Sequence, residues 1–246
     1  MFTGRSISQE IECPTGYALI RLEKIELERL RTLIRDQWLY RLLLLSPAEV
    51  KRFANIEMDH YHELARFIDH SKGWPKTSRI LPPSAVCEIR GMPFIKHLES
   101  EFGRFEISDE EGIGWEEIYW RLVRPNAPDI GPLHADSWFW EAGHGKTPEG
   151  ATRVKAWVAI YSEKGKNGLR VIPGSHQGNC PPYHLEHRDG FLKPQIDVDE
   201  KDLNIILVPT DPGDGIIFHD KLIHGGARNE GETTRVSLEF TFFVRK

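Results

Sequence analysis

The chain has 246 residues, 39% hydrophobic and 28% charged, an ordinary globular composition that can bury a core without covalent staples. A formal charge of -5 gives no pull towards nucleic acid or an anionic membrane surface. Cys13, Cys87 and Cys180 stand far apart with no Cys-x-x-Cys pair, so neither a disulfide framework nor a thiolate zinc site is indicated.

Residues 1–10 are polar and lack the apolar stretch of a signal peptide. The longest aliphatic run, residues 42–45, is far too short to span a bilayer. A reducing, cytoplasmic setting is therefore expected. From 22 to 70 the pattern is helical: Leu22, Ile25, Leu27, Leu30, Leu33 and Ile34 recur at three- and four-residue steps. Ser46-Pro47-Ala48-Glu49 reads as a fresh helix start with a capping box, and Tyr61, Leu64, Ala65 and Ile68 continue the stripe. Residues 71–83, with three prolines, read as a connector. A short helix follows over 92–102, ended by Gly103.

From residue 105 the character changes to strands and turns. Strands are predicted over 115–124, 156–161, 168–172, 203–208, 215–219 and 234–244 from their β-branched and aromatic content. Asn167-Gly168, Pro173-Gly174, Pro212-Gly213 and Gly225-Gly226 separate them. Segments 137–153 and 177–200 read as long irregular loops suited to cover a site. The expected architecture is mainly β, with a helical N-terminal layer (1–104) packed on a sandwich or barrel core (105–246). With no flexible linker between them, 1–246 reads as a single domain.

The chemistry concentrates around His134-Ala135-Asp136. On a strand, residues two apart face the same way, so both side chains would hold one ion. His224, after the apolar run Gly215-Ile216-Ile217-Phe218, offers a third ligand from a second strand. Two His and one carboxylate with open positions is the ligand set of non-haem Fe(II) oxygenases. Arg235, 11 residues further on, is of a type that holds the far carboxylate of a 2-oxo dicarboxylic acid. His-x-Asp alone is usually a surface pair, and the following Trp138, Phe139 and Trp140 are as consistent with core packing as with a pocket.

Three segments taken together resemble the phytanoyl-CoA dioxygenase-like family of Fe(II)/2-oxoglutarate oxygenases. They are Gly131-Pro132-Leu133-His134-Ala135-Asp136, then Asn167-Gly168-Leu169-Arg170-Val171-Ile172-Pro173-Gly174-Ser175-His176. The third runs from Gly213-Asp214-Gly215 through His224-Gly225-Gly226-Ala227-Arg228-Asn229 to Arg235-Val236-Ser237. The resemblance implies a double-stranded β-helix (a jelly-roll, cupin-like core) under the helical layer. It implies His134, Asp136 and His224 as iron ligands and Arg235 as the anchor for 2-oxoglutarate. Trp157, Arg121 and Ser237 are grouped with Arg235 at the co-substrate. Arg121 stands where the family often has a polar residue, and alternation pairs its orientation with that of Tyr119.

The implied activity is oxidation, by hydroxylation or a related reaction, of a small organic metabolite with O2. It is coupled to decarboxylation of 2-oxoglutarate to succinate and CO2. Asp136 favours oxidation over halogenation, which in this family accompanies loss of the carboxylate. Trp138, Trp140, His144 and Arg170 are the candidate substrate contacts. Two other readings stand beside this one: a non-oxidative metal-dependent isomerase or lyase, and a metal-free jelly-roll binding module. His176 and His219 are read as non-ligands.

Overall fold

The computed structural model describes residues 5–188 and 191–245. The chain opens with α1 (Ile7–Glu12), capped by Ser6 and Gln9, and the strand β1 (Tyr17–Arg21). The long helix α2 (Lys24–Leu45) buries one stripe, Leu27, Leu30, Ile34, Trp38 and Leu42. Its start is stabilised by buried Glu26, whose carboxylate accepts from the Glu23 N–H at 2.8 Å and from the Phe94 N–H at 2.7 Å. One carboxylate thus satisfies N–H groups at two helix starts.

The expectation of a second long helix from Ser46 is not met. Ser46 instead ends α2, its N–H donating to the Leu42 carbonyl. Beyond it lie single turns, α3 (Val50–Phe53), α4 (Tyr61–Leu64) and α5 (His70–Gly73), with 3-10 turns between and after them. The reason is tertiary. Phe53 and Tyr61 are fully buried against Trp38, with ring centroids 5.7 and 6.3 Å away, and seating both bends the backbone away from a straight helix. The prolines of the expected connector open α6 (Pro83–Arg90), and Pro93 opens α7 (Pro93–Phe102); proline fits a first helical turn, where its missing N–H costs nothing. Gly103, at φ +76°, ends α7 as expected.

The second half comprises β2 (Glu106–Ile107), β3 (Tyr119–Val123), α8 (Asp136–Glu141), β4 (Ala151–Tyr161), β5 (Leu169–Val171), β6 (Tyr183–Arg188), β7 (Phe191–Ile196), β8 (Ile206–Val208), β9 (Asp214–His219), β10 (His224–Gly226) and β11 (Arg235–Arg245). The segments expected to be irregular are largely ordered. Residues 137–153 supply most of α8 and the start of β4, and within 177–200 the strands β6 and β7 pair with each other, residues 189 and 190 lying outside the described ones.

The large antiparallel sheet runs β1-β9-β4-β11-β2, with β3 also on β11; the small one runs β10-β5-β8. Strand alternation gives the large sheet two different faces. Val154, Ala156, Val158, Ile160, Val236, Leu238, Phe240 and Phe242 pack against the helical layer in the main core. The other face places Trp157, Ala159, Ile216 and Phe218 against Leu169, Val171 and Val208 of the small sheet. The polar site lies on this second face. Among the described residues, no helix is long and apolar enough to cross a membrane.

Candidate metal centre and binding cavity

His134 and His224 meet across an isolated antiparallel bridge that extends the small sheet beyond β10. Each donates its backbone N–H to the other's carbonyl, at 2.9 and 2.8 Å. Asp136 is not on that strand. Ala135 is extended, and Asp136 is the first residue of α8, so a turn of helix, rather than strand alternation, brings its carboxylate round. The three side chains still converge. His134 Nε2 lies 3.5 Å and His224 Nε2 3.7 Å from Asp136 Oδ1, and the three ligand atoms all fall within 4.8 Å of one another.

The imidazoles are pre-set. His134 Nδ1 faces the Pro132 carbonyl and His224 Nδ1 faces the Leu222 carbonyl, both at 2.9 Å. A carbonyl only accepts, so each Nδ1 carries the proton and each Nε2 presents a lone pair to the cluster. Burial pushes His224 down to about 4, keeping it neutral near pH 7. Burial alone would raise the Asp136 pKa, but Lys155, His224 and His134 outweigh it and hold the carboxyl well below its ordinary range. Its Oδ2 is buried without a hydrogen-bond partner. Two neutral nitrogen donors and an under-satisfied carboxylate at a common point fit a divalent cation.

A cavity of about 180 Å³ opens beside this cluster, and its walls include Arg121, Trp157 and Arg235. Arg235 begins β11 and is 2% exposed. It donates one guanidinium N–H to the Gly168 carbonyl, and its Nε has no partner. Burial lowers its pKa to about 10. Gly226 makes room for it: a Cβ there would stand 3.0 Å from Nη2. Arg121 faces inward with Tyr119, as alternation predicts, and both line the cavity. Its Nε donates to Glu239 at 3.0 Å.

Several expected contacts lie elsewhere. Ser237 is fully buried, gives its hydroxyl to Glu239 at 3.1 Å, and is not part of the cavity wall. Trp138 stacks on Tyr183 at 3.9 Å, and Trp140 packs edge-on against Phe243. His144 lies beside the Leu192 carbonyl, and Arg170 pairs with Glu200 at 2.7 Å. None of these four substrate candidates lines the cavity. For the two tryptophans the reason is that α8 turns them onto β6 and β11, while Phe139 between them packs edge-on against His134. His176 and His219 lie outside the three-residue metal cluster, their rings 5.9 Å apart.

Other residues take those places. Lys155, on the same face of β4 as Trp157, is buried with its Nζ 3.6 Å from Asp136 Oδ2 and 3.1 Å from the Tyr119 hydroxyl. Burial would lower its pKa, but Asp136, Tyr119, Glu110 and Glu239 keep it well above the ordinary lysine value. Glu239 is held down to about 2, because Arg121 and Lys155 outweigh its burial. Both were within reach of the sequence: Lys155 is two residues before Trp157, and Glu239 four after Arg235, each in phase on its strand. His70, Trp74 and Arg79 arrive from the helical layer, and no motif marks them.

A partly buried cluster of two histidines and an aspartate, beside a cavity walled by an arginine, defines a mononuclear metalloprotein of the 2-His-1-carboxylate class. The profile of the phytanoyl-CoA dioxygenase (PhyH) family matches residues 105–237, and the chain belongs to that family. It is 32% identical over 94 residues to the peroxisomal phytanoyl-CoA dioxygenase of Bos taurus, covering 36% of this chain and 28% of that protein. The Mus musculus enzyme is 30% identical over 126 residues, 47% of this chain and 36% of that protein. The match thus spans about a third of these relatives. Among solved structures, EvdO2 from Micromonospora carbonacea var. aurantiaca complexed with 2-oxoglutarate superposes with a TM-score of 0.60. That alignment has 17% identity and covers 97% of this chain and 89% of that one. The epimerase SnoN, in complex with Fe3+, alpha ketoglutarate and nogalamycin RO, gives 0.57 at 16% identity, covering 97% and 82%. At these identities the likeness is one of fold.

Proposed function

We propose that the protein is an Fe(II)/2-oxoglutarate-dependent dioxygenase that hydroxylates, or otherwise oxidises, a small organic metabolite. The observation that carries this reading is the convergence of His134, Asp136 and His224 within 4.8 Å, with unpaired Arg235 lining the adjoining cavity. His134 Nε2, His224 Nε2 and one Asp136 oxygen would hold the iron. Bound there, the iron supplies O2-dependent oxidation coupled to decarboxylation of 2-oxoglutarate to succinate and CO2.

The protein's own side chains hold, orient and exclude. The Pro132 and Leu222 carbonyls keep both imidazoles in the ligating tautomer. Lys155 offsets the negative charge of Asp136 and restrains its second oxygen. Arg235 takes the distal carboxylate of 2-oxoglutarate, a charge-assisted pair strengthened by the burial of the guanidinium. Trp157 and Phe218 wall off the space between. Arg121 orders Glu239 on the cavity wall, and the buried Ser237 hydroxyl donates to the same carboxylate. We read the two facing sheets as the double-stranded β-helix of this family and the whole chain as one domain, because residues of the helical layer line the same cavity as those of the sheets.

A non-oxidative isomerase or lyase would share the metal cluster but would have no use for a buried, unpaired guanidinium beside it. A metal-free binding module would need neither. The test is succinate formation from 2-oxoglutarate with Fe(II) and O2 in the presence of a metabolite panel. Asp136→Ala should abolish it while leaving the circular dichroism spectrum unchanged. Undiminished succinate release from that variant would overturn the assignment.

A further inference from the structure

Three guanidinium groups, from Arg79, Arg121 and Arg235, line the cavity, and among the described residues Glu239 is the carboxylate whose charge acts on all three. Glu239 is taken by Arg121 at 3.0 Å. On the reading proposed above, the distal carboxylate of 2-oxoglutarate neutralises Arg235. The iron is neutralised by Asp136 and the co-substrate's other carboxylate, which leaves Lys155 to the nearby Glu110, whose partner Lys76 is also held by Glu117 at 2.7 Å. One positive charge, on Arg79, is left over.

Arg79 is held in place without being compensated. Its Nε donates to the Trp74 carbonyl at 2.9 Å and its Nη1 to the Trp120 carbonyl at 2.6 Å. Among the described residues, no carboxylate lies within ion-pair distance of it, and Nη2 makes no hydrogen bond. Both bonds go to backbone carbonyls, which fix the fork but leave its charge unmatched. Burial and the neighbouring Arg121 outweigh Glu239 and Tyr119 and depress its pKa to about 10. Arg79 is half-buried; a partly desolvated charge without a partner is costly, and an anionic ligand would relieve that cost.

We propose that the primary substrate is a carboxylate-bearing small molecule whose anionic end docks on Arg79, with Trp74 as the adjoining apolar wall. A carboxylate suits the site better than a phosphate monoester, because a single uncompensated cation matches one negative charge and not two. The inference rests on the oxygenase reading and narrows it to a substrate class. It also explains why the helical layer contributes to the cavity: Trp74 and Arg79 are its share of substrate recognition.

The test uses the full chain, anaerobic and loaded with Fe(II) and saturating 2-oxoglutarate, titrated calorimetrically with 3-phenylpropanoate, 3-phenylpropanamide and 2-phenylethyl phosphate. The acid should bind at least tenfold more tightly than the amide and than the phosphate ester. Arg79→Gln should remove that preference, and Arg79→Lys should keep part of it, with 2-oxoglutarate affinity within about twofold of wild type in both. Saturation with 2-oxoglutarate blocks Arg235, so a preference that persists in Arg79→Gln overturns the proposal. Equal binding of acid and amide by the wild type also overturns it, without reliance on any variant folding. Tighter binding of the phosphate ester than of the acid rejects the carboxylate. If the iron-loaded wild type fails to bind 2-oxoglutarate, the oxygenase reading falls first and takes this proposal with it.

Discussion

Replacing Arg235 by Met separates binding from folding. The guanidinium is 2% exposed, donates to a single backbone carbonyl and leaves Nε unpartnered. In the ligand-free protein it is therefore a poorly compensated buried cation, and Met, of comparable length, replaces it with a group that needs no partner. Removing one side of a desolvated charge pair costs about 2–5 kcal/mol of binding, or about 30-fold to a few thousandfold in Kd at 1.4 kcal/mol per tenfold. Part of the fork is already committed to Gly168, so the loss should fall in the lower half of that range, about a hundredfold. Thermal unfolding adds a second readout. Ligand at 100 times its Kd stabilises a protein by about 2.7 kcal/mol, so 2-oxoglutarate should raise the wild-type Tm but leave Arg235→Met nearly unmoved at the same concentration. Without ligand, the variant should unfold no earlier than wild type. Calorimetric titration of 2-oxoglutarate into metal-loaded protein, with paired melting curves, gives both numbers. A weakening of less than tenfold, or a large loss of Tm in the ligand-free variant, would refute this account of Arg235.

Gly226→Ala should act on the same pocket from the opposite side. Its Cβ would press to 3.0 Å from Arg235 Nη2, and the guanidinium, fixed by Gly168, has little freedom to yield. The apparent KM for 2-oxoglutarate should rise at least fivefold while metal content per chain stays near wild type; an unchanged KM would show that the fork is free to move. Glu239 predicts a pH effect. Its folded pKa, about 2, lies below the ordinary glutamate value of 4.5. Its contribution to stability is therefore complete above about 4.5 and is lost as pH falls towards 2. Glu239→Gln should be less stable than wild type at pH 7, with a smaller drop in urea midpoint between pH 5 and pH 3. Parallel pH profiles for the two proteins would contradict the ion pair.

The ladder strands were legible because their pattern is local. β4, β9 and β11 each carry an apolar stretch bounded by turn residues, and His224 follows one of those turns. The candidate metal ligands and Arg235 stood out for the same reason. Asp136 does lie beside His134, but not by strand alternation, since a helix start after an extended Ala135 cannot be told from a continuing strand by spacing two. The β6–β7 hairpin was hidden by its charged residues and by Pro194, a residue that argues against strand interiors; it pairs only with itself. Lys155 and Glu239 were hidden by expectation rather than by the sequence, because charged residues in phase with a buried strand face are the local sign of a polar interior. Arg79 had no such sign. It sits on a 3-10 turn, Lys76–Arg79, and only the packing of the helical layer on β3 brings it to the cavity.

The most direct measurement is the visible absorption spectrum of the anaerobic protein after successive addition of Fe(II) and 2-oxoglutarate. Chelation of the 2-oxo acid to iron held by His134, Asp136 and His224 should produce a weak charge-transfer band that appears only when both are present and is missing in Asp136→Ala. Iron-loaded protein that shows no band at saturating 2-oxoglutarate would contradict the claim that this cluster is an oxygenase centre.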